Sequence, residues 1–214
     1  MTRVKICGIT DPDDAAFAVE LGAWALGMIF WEHSPRACPL EAAEQIAAEL
    51  RRRVALTGVF VNASLDEVAE TADRAGLSIL QLHGDEGPAY CAEAARRTGC
   101  KVMKAVRVKD AGQVAAVGAF PTAFHMLDTY VPGRQGGTGE HFDWELARRH
   151  RRDVPVVLSG GLTPDNVGRA IEVARPFAVD TASGTEAEPG RKDRALVEAF
   201  FRAVEVTDRD LAAA

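Results

Sequence analysis

The sequence predicts a single (β/α)8 barrel, and three observations support this prediction. Eight short runs of β-branched or apolar residues alternate with eight stretches of helical period. The alternation fills the 214 residues, so each strand-helix unit has about 27 residues, which suits a compact barrel with short loops. The competing open sheet normally has fewer strands and a Gly-x-Gly-x-x-Gly turn after its first strand, and the sequence has no such turn there.

The predicted strands are short runs that end at glycine, proline or polar residues. In chain order they cover residues 3–7, 25–30, 56–61, 79–82, 102–107, 123–128, 156–159 and 177–180. Each is followed by a stretch in which apolar residues recur with the period of a helix. These helices cover residues 12–21, 41–52, 65–75, 88–97, 110–117, 144–151, 164–173 and 193–203.

Several helices begin with a recognisable capping residue. Asp11 and Thr163 each precede a proline at the first helical position, and Ser64 has Glu67 three residues later. One connection, residues 129–141, is too long for a simple turn and is rich in glycine and polar residues, so we expect a mobile active-site loop there. We expect one catalytic domain over residues 1–206 and a frayed tail over residues 207–214.

Composition excludes several classes of function. Hydrophobic residues make up 47% and charged residues 26%, as in a soluble globular domain. With 25 Lys and Arg against 31 Asp and Glu, the net charge of −6 speaks against a nucleic-acid or anionic-membrane partner. The N-terminus has no apolar signal stretch, so we expect a cytoplasmic protein. Irregular spacing predicts free thiols, without a zinc site, at Cys7, Cys38, Cys91 and Cys100.

Polar side chains close several strands, at the end of the barrel where such folds carry their active sites. Period two places Lys5 and Cys7 on one face, which we expect to be the barrel interior. Cys7 there is either a thiolate base or nucleophile, or a small buried residue. Asp128 closes the sixth strand, and helix capping explains it poorly because the next predicted helix begins only at residue 144.

The fourth strand ends in a second polar pair, since Gln81 and His83 share a face. His83 is either a titrating catalytic group or a neutral hydrogen-bonding residue. Arg36 lies just beyond the second strand, where its guanidinium can clamp a carboxylate through paired hydrogen bonds or remain solvated.

Two glycine-containing loops predict a phosphate site. Gly160 and Gly161 follow the seventh strand, and residues 180–184 follow the eighth. Glycines at these positions let backbone N–H groups approach an anion closely, and barrels of this type often hold phosphate after strands seven and eight. Ordinary turns are the alternative for each loop taken alone.

Taken in order, these residues resemble the phosphoribosylanthranilate isomerase family, a (β/α)8 family of tryptophan biosynthesis. The similarity covers nearly the whole chain, and its motifs are specific in combination. They lie at residues 5–10, 34–36, 58–62, 80–84, 136–139, 142–144, 160–162, 166–167, 183–184, 186, 189–190 and 192–193.

The resemblance implies an Amadori rearrangement of N-(5-phosphoribosyl)anthranilate to 1-(2-carboxyphenylamino)-1-deoxyribulose 5-phosphate. It implies a small phosphosugar substrate, no metal or organic cofactor, and either a monomer or a homodimer. Cys7 matches the family's general base, Asp128 its general acid and Arg36 its carboxylate-binding residue. The phosphate-binding positions match Gly160, Gly161, Ser183 and Gly184. The other polar residues of the site match Gln81, His83 and Asp180.

The rearrangement requires one general acid and one general base, whichever family performs it. An acid must protonate the ring oxygen as the C1–O bond breaks, which Asp128 can do if burial raises its pKa from about 4. A base must then remove the C2 proton, which Cys7 can do if its pKa falls below about 8.5.

Two alternatives differ from this reading at identifiable residues. The first is the sugar isomerase of histidine biosynthesis, or a bifunctional enzyme that serves both pathways. That family uses two aspartates, one of them at the end of the first strand, where this chain has Cys7. It also has a second glycine-pair loop of the Gly160-Gly161 kind in its other half-barrel, which strands three and four of this chain lack. A noncatalytic phosphosugar-binding barrel would keep the glycine loops and lose both Cys7 and Asp128. The family pattern itself is altered at residues 31–33, 37–38, 140–141, 159 and 181–182, which flank the proposed acid, base and clamp.

Overall fold

The computed structural model describes residues 1–128, 144–150 and 153–213. Eight parallel strands form a closed barrel in which each strand pairs with the next and the eighth pairs with the first. The predicted (β/α)8 barrel is therefore confirmed. The strands are β1 Arg3–Cys7, β2 Ala25–Ile29, β3 Ala55–Phe60, β4 Ile79–Leu82, β5 Lys101–Arg107, β6 Phe124–Asp128, β7 Val156–Ser159 and β8 Ala178–Thr181.

Helices surround the barrel and connect its strands. They are α1 Pro12–Glu20, α2 Leu40–Leu50, α3 Leu65–Arg74, α4 Pro88–Thr98, α5 Ala111–Ala116, α6 Glu145–Arg148, α7 Val167–Ala174 and α8 Arg194–Ala213. A short antiparallel hairpin, β9 Glu186–Glu188 and β10 Arg191–Lys192, follows β8. The predicted long loop over residues 129–141 lies outside the described residues, as do the motif residues 136–139 and 142–143.

The expected frayed tail is wrong for residues 207–213, which form the last turns of α8. Two contacts hold these turns to the body of the protein. Thr207 is buried, and Asp208 accepts hydrogen bonds from the backbone N–H and the hydroxyl of Thr2, the latter at 2.8 Å. Alanine is also the strongest helix former, so the alanine-rich end extends the helix.

Two of the three predicted helix caps are confirmed. Asp11 accepts hydrogen bonds from the first turn of α1, and Ser64 forms a capping box with Glu67. The cap at Thr163 is wrong, because α7 begins only at Val167. Thr163 acts through its main chain instead: its carbonyl accepts from the Val167 N–H at 3.0 Å, and its own N–H donates to the Asn166 side chain at 2.8 Å.

The hydrophobic core has two parts. The larger lies between the strands and the surrounding helices. The smaller fills the N-terminal half of the barrel interior with Ile79, Met103, Ala105, Phe124, Met126, Val157 and Ala178. Since apolar side chains close that half, inward-facing polar groups are concentrated toward the C-terminal ends of the strands. In the part of the chain that the structure describes, no helical segment qualifies as a membrane span.

Candidate active site

Cys7 and Lys5 face the barrel interior from the end of β1, as period two predicts. Gly27 of β2 lies beside Cys7 in the sheet register. A Cβ atom built on Gly27 would lie 2.7 Å from the Cys7 sulfur and 2.9 Å from the Lys5 nitrogen. The sulfur and the ammonium group therefore share one small space against the bare backbone of β2. All four cysteines are free thiols, as the spacing predicts.

The surroundings of Cys7 act on its pKa in opposite directions. Burial raises the pKa of the thiol, while the ammonium groups of Lys5 and Lys192 lower it and the Asp180 carboxylate raises it. The net direction is upward. The lowered pKa that we required of Cys7 is therefore not found, because the loss of solvation outweighs the attraction of two cations.

A buried ion pair lies behind the thiol. The Lys5 ammonium donates to the Asp180 carboxylate at 2.6 Å, and the Ser159 hydroxyl donates to the other oxygen of that carboxylate at 2.9 Å. Although burial by itself would lower the pKa of Lys5, Asp180 and Cys7 hold it above its ordinary value. Asp180 thus lies in the predicted region, where its carboxylate is the partner of a fully buried lysine.

A chain of three polar groups occupies the ends of β4 and β6. The Gln81 amide nitrogen lies 3.1 Å from Nδ1 of His83, and Nε2 of His83 lies 3.0 Å from an Asp128 carboxylate oxygen. If the Gln81 amide donates, Nδ1 accepts and the neutral ring carries its proton on Nε2, facing Asp128. The side chains of His83 and Asp128 retain 20% and 15% exposure, so the end of this chain can be reached from the barrel mouth.

Arg36 is held in place by a carboxylate from the β9–β10 hairpin. Its Nε donates to both oxygens of Glu186, at 2.9 and 2.8 Å, and its Nη2 lies 2.7 Å from one of them. Lys192 lies 3.1 Å from the other side of the same carboxylate. Burial would raise the pKa of Glu186, but Arg36 and Lys192 hold it below its ordinary value. The guanidinium side chain keeps 23% exposure, which leaves it accessible to a ligand.

The two glycine loops lie against each other. Gly160 and Gly161 have φ angles of 97° and 66°, in the left-handed region that favours glycine. A Cβ on Gly184 would lie 2.0 Å from the Leu162 carbonyl oxygen, so only glycine fits there. The Thr181 hydroxyl donates to the same carbonyl at 2.8 Å. Ser183 begins the short 3-10 turn that contains Gly184.

Three residues of this region were not chosen from the sequence as site residues. Lys5 was recognised only as sharing a face with Cys7, and Glu186 and Lys192 only as parts of the family pattern. The sequence shows whether each of these residues is acidic or basic, but it does not show which oppositely charged residue each one contacts. A search for charged residues at inward positions of strand ends would have found Lys5, whereas Glu186 and Lys192 belong to a hairpin that the strand pattern did not predict.

Fold and site together define a (β/α)8-barrel enzyme that carries a thiol, carboxylates, a histidine and two glycine loops at the C-terminal ends of its strands. The family model described as N-(5'phosphoribosyl)anthranilate (PRA) isomerase matches residues 4–203. The chain therefore belongs to the N-(5'-phosphoribosyl)anthranilate isomerase family, and it is an isomerase.

Relatives and solved structures agree with this assignment. The chain is 50% identical over 200 residues to N-(5'-phosphoribosyl)anthranilate isomerase of Geobacter sp. strain M21, covering 94% of this chain and 96% of the relative. It is similar to the crystal structure of phosphoribosyl anthranilate isomerase from Thermotoga maritima, with a TM-score of 0.85, 42% identity and coverage of 96% and 100%. A structure of such an enzyme in complex with reduced 1-(o-carboxyphenylamino)-1-deoxyribulose 5-phosphate matches with a TM-score of 0.83, 40% identity and the same coverage.

Proposed function

We propose that this chain converts N-(5'-phosphoribosyl)anthranilate to 1-(2-carboxyphenylamino)-1-deoxyribulose 5-phosphate in tryptophan biosynthesis, with Cys7 as general base and Asp128 as general acid. The observation that carries the proposal is the placement of an inward-facing thiol on β1 and a carboxyl group on β6 at the same end of a barrel of this family. A related enzyme holds the reduced product, which supports the same substrate class here.

Ring opening is the task of Asp128. Its carboxyl group gives a proton to the ring oxygen as the C1–O bond breaks, and that oxygen becomes the hydroxyl on C4. The nitrogen lone pair forms the C1=N bond of an iminium. The resulting Asp128 carboxylate accepts a hydrogen bond from Nε2 of His83, which lies 3.0 Å away, so the charge produced by the step has a partner in place.

Proton abstraction is the task of Cys7. The iminium acidifies C2, and the thiolate takes the C2 proton to become a thiol. The electron pair of the C2–H bond forms the C1=C2 bond of an enolamine, and the iminium nitrogen becomes neutral. Tautomerisation then adds a proton at C1 and removes one from the C2 hydroxyl, which leaves the ketone, so the overall reaction is an isomerisation.

Substrate recognition falls to the flanking groups. Arg36, oriented by Glu186, is suited to the anthranilate carboxylate because a guanidinium can bind a second carboxylate with its remaining donors. The backbone of the loops at Gly160, Gly161 and residues 183–184 is suited to the phosphate, since glycine there lets N–H groups approach an anion.

Turnover tests this proposal directly. The purified chain is expected to convert the phosphoribosyl substrate, followed by the loss of anthranilate-derivative fluorescence. Protein that binds the substrate tightly and never converts it would show that the site is a binding site only.

Replacement of Arg36 by methionine is expected to raise KM about 10- to 100-fold with a smaller effect on kcat, because a charge-assisted pair of hydrogen bonds is lost from both ground and transition states. The protein should still fold, since Lys192 remains to pair with Glu186. Steady-state kinetics measure the change. Arg74→Met is the matched control, because Arg74 also pairs with a glutamate, Glu44, on the helical surface. Equal KM values in the two variants would exclude Arg36 as the clamp.

In the Asp128→Asn variant, where no carboxyl group titrates at the acid position, the pH profile of the residual kcat/KM is expected to rise from neutral pH to beyond about pH 8.5. The base acts as a thiolate, and burial raises the pKa of Cys7 above its ordinary value. Below that pKa, each pH unit increases the thiolate fraction about tenfold, so the rate increases with pH and levels off above it. Initial rates at low substrate concentration across the neutral and alkaline range measure this. A profile that is flat or declining there would contradict a thiol with a raised pKa as the base.

A further inference from the structure

A fully buried lysine inside the barrel calls for an explanation beyond packing. Lys5 is among the largest side chains with no exposure, and its ammonium lies beside the thiol of Cys7. Removing a charge from water is costly unless other groups compensate for it. An apolar residue would fill the same volume at a smaller cost, so the ammonium has a use at this position.

Asp180 accounts for only part of the surroundings of that ammonium. Its carboxylate accepts one hydrogen bond from the Lys5 ammonium, at 2.6 Å, and its other oxygen accepts one from the Ser159 hydroxyl. The Lys5 nitrogen and the Cys7 sulfur also lie 2.9 and 2.7 Å from one point, the position that a Cβ on Gly27 would take. The carboxylate therefore anchors the lysine with its ammonium group beside the sulfur.

The charges around the sulfur favour an anion. The groups that act on it are Lys5 from β1, Asp180 from β8 and Lys192 from β10, while β2 contributes the uncharged Gly27. Lys192 also contacts the pair formed by Glu186 and Arg36, so the whole set holds three cations and two carboxylates and carries one positive charge, which a thiolate neutralises. The attraction of Lys5 for the thiolate exceeds the repulsion from Asp180.

Gly27 provides the space in which these groups meet. Any side chain there would place its Cβ 2.7 Å from the sulfur and 2.9 Å from the lysine nitrogen, closer than such atoms approach. One of the two groups would have to move. The glycine is thus required by this juxtaposition.

We propose that Lys5 is a positioning residue that stabilises the thiolate of Cys7, and that Gly27 keeps open the space in which the ammonium and the sulfur meet. This inference rests on the proposed function, in which Cys7 is the base. It assigns Lys5 a role in setting the proton affinity of that base, and Asp180 and Ser159 the role of holding Lys5.

Titration of the Cys7 thiol without substrate tests this inference. The readout is the ultraviolet absorbance of the thiolate, isolated in each background as the difference from the same protein carrying Cys7→Ser. The first variant, Lys5→Met with Asp180→Asn, removes the ion pair without leaving an unpaired buried charge. The thiol pKa is expected to rise by about one unit, because both charges are lost and the lowering effect of Lys5 on the thiol pKa exceeds the raising effect of Asp180.

The second variant, Gly27→Ala, keeps every charged group and displaces the sulfur or the ammonium. The thiol pKa is expected to rise here too, and kcat/KM at neutral pH to fall about tenfold per unit of that rise. This variant decides the question if the double variant does not fold. The matched control, Lys104→Met with Glu86→Gln, removes another buried ion pair, at 2.7 Å, and should leave the titration unchanged.

The possible results test the role of Lys5, the role of Cys7 as the base and the proposed function separately. A titration that is unmoved in both Lys5→Met/Asp180→Asn and Gly27→Ala, or that moves as much in the control, overturns the role of Lys5. A titration that moves while the pH profile of kcat/KM does not supports the role of Lys5 and overturns Cys7 as the base. Failure of the parent to turn over any substrate overturns the proposed function, and the titration still reports on Lys5.

Discussion

Cys7→Ala is expected to lower kcat about 10²- to 10⁴-fold, with little change in the affinity for the reduced product. In the proposed mechanism the thiolate acts on the C2 proton in the transition state, so its loss removes catalysis and leaves ground-state contacts in place. The thiol is also buried, and a methyl group in its position leaves Lys5 paired with Asp180. Single-turnover rates and direct binding measurements separate the two effects.

Cys91→Ala is the matched control for this variant. Cys91 is a buried thiol on α4, in the core between helices and barrel. Its replacement removes the same atom from a site that faces no substrate, and kcat should stay at the parent value. Equal activity of Cys7→Ala and the parent would eliminate the proposed base.

Asp128→Asn is expected to reduce kcat by a similar factor, about 10²- to 10⁴-fold. The amide has nearly the same shape and can still accept a hydrogen bond from His83, so the geometry at the end of β6 is preserved. An amide cannot give a carboxyl proton to the ring oxygen. Single-turnover kinetics should therefore show slow ring opening, whereas the dissociation constant for the reduced product should change little.

The control for this variant is Asp110→Asn, which makes the same chemical change where the carboxylate caps α5. It should cost some stability and leave kcat unchanged. Parent-like turnover by Asp128→Asn would exclude this carboxyl group as the acid and direct attention to His83.

The barrel could be predicted from the sequence because the patterns that specify its strands and helices are local in the sequence. Strand and helix periods, together with caps such as Ser64, specify the order of elements without reference to distant contacts. The same logic placed Lys5 with Cys7 and Gln81 with His83, because period two fixes which neighbours share a face. The end of α8 was misjudged since its stability comes from a contact with Thr2, about two hundred residues away in sequence.

The electrostatics of the site could not be predicted in the same way. The partner of Arg36 is Glu186, which lies 150 positions further along the chain. The pKa of Cys7 depends on the balance between burial and three charges from β1, β8 and β10, and composition does not reveal that balance. Even its direction was the reverse of what the chemistry led us to require.

In the proposed mechanism the sulfur of Cys7 removes the C2 proton of the opened sugar, and a kinetic isotope effect at C2 reports on that step. The measurement compares kcat for substrate carrying hydrogen or deuterium at C2, in the parent and in Cys7→Ser. A serine hydroxyl does not ionise in the working pH range and is a far weaker base than a thiolate, so we predict a much lower kcat and a larger isotope effect in the variant. A variant with the same rate and the same isotope effect as the parent would contradict the claim.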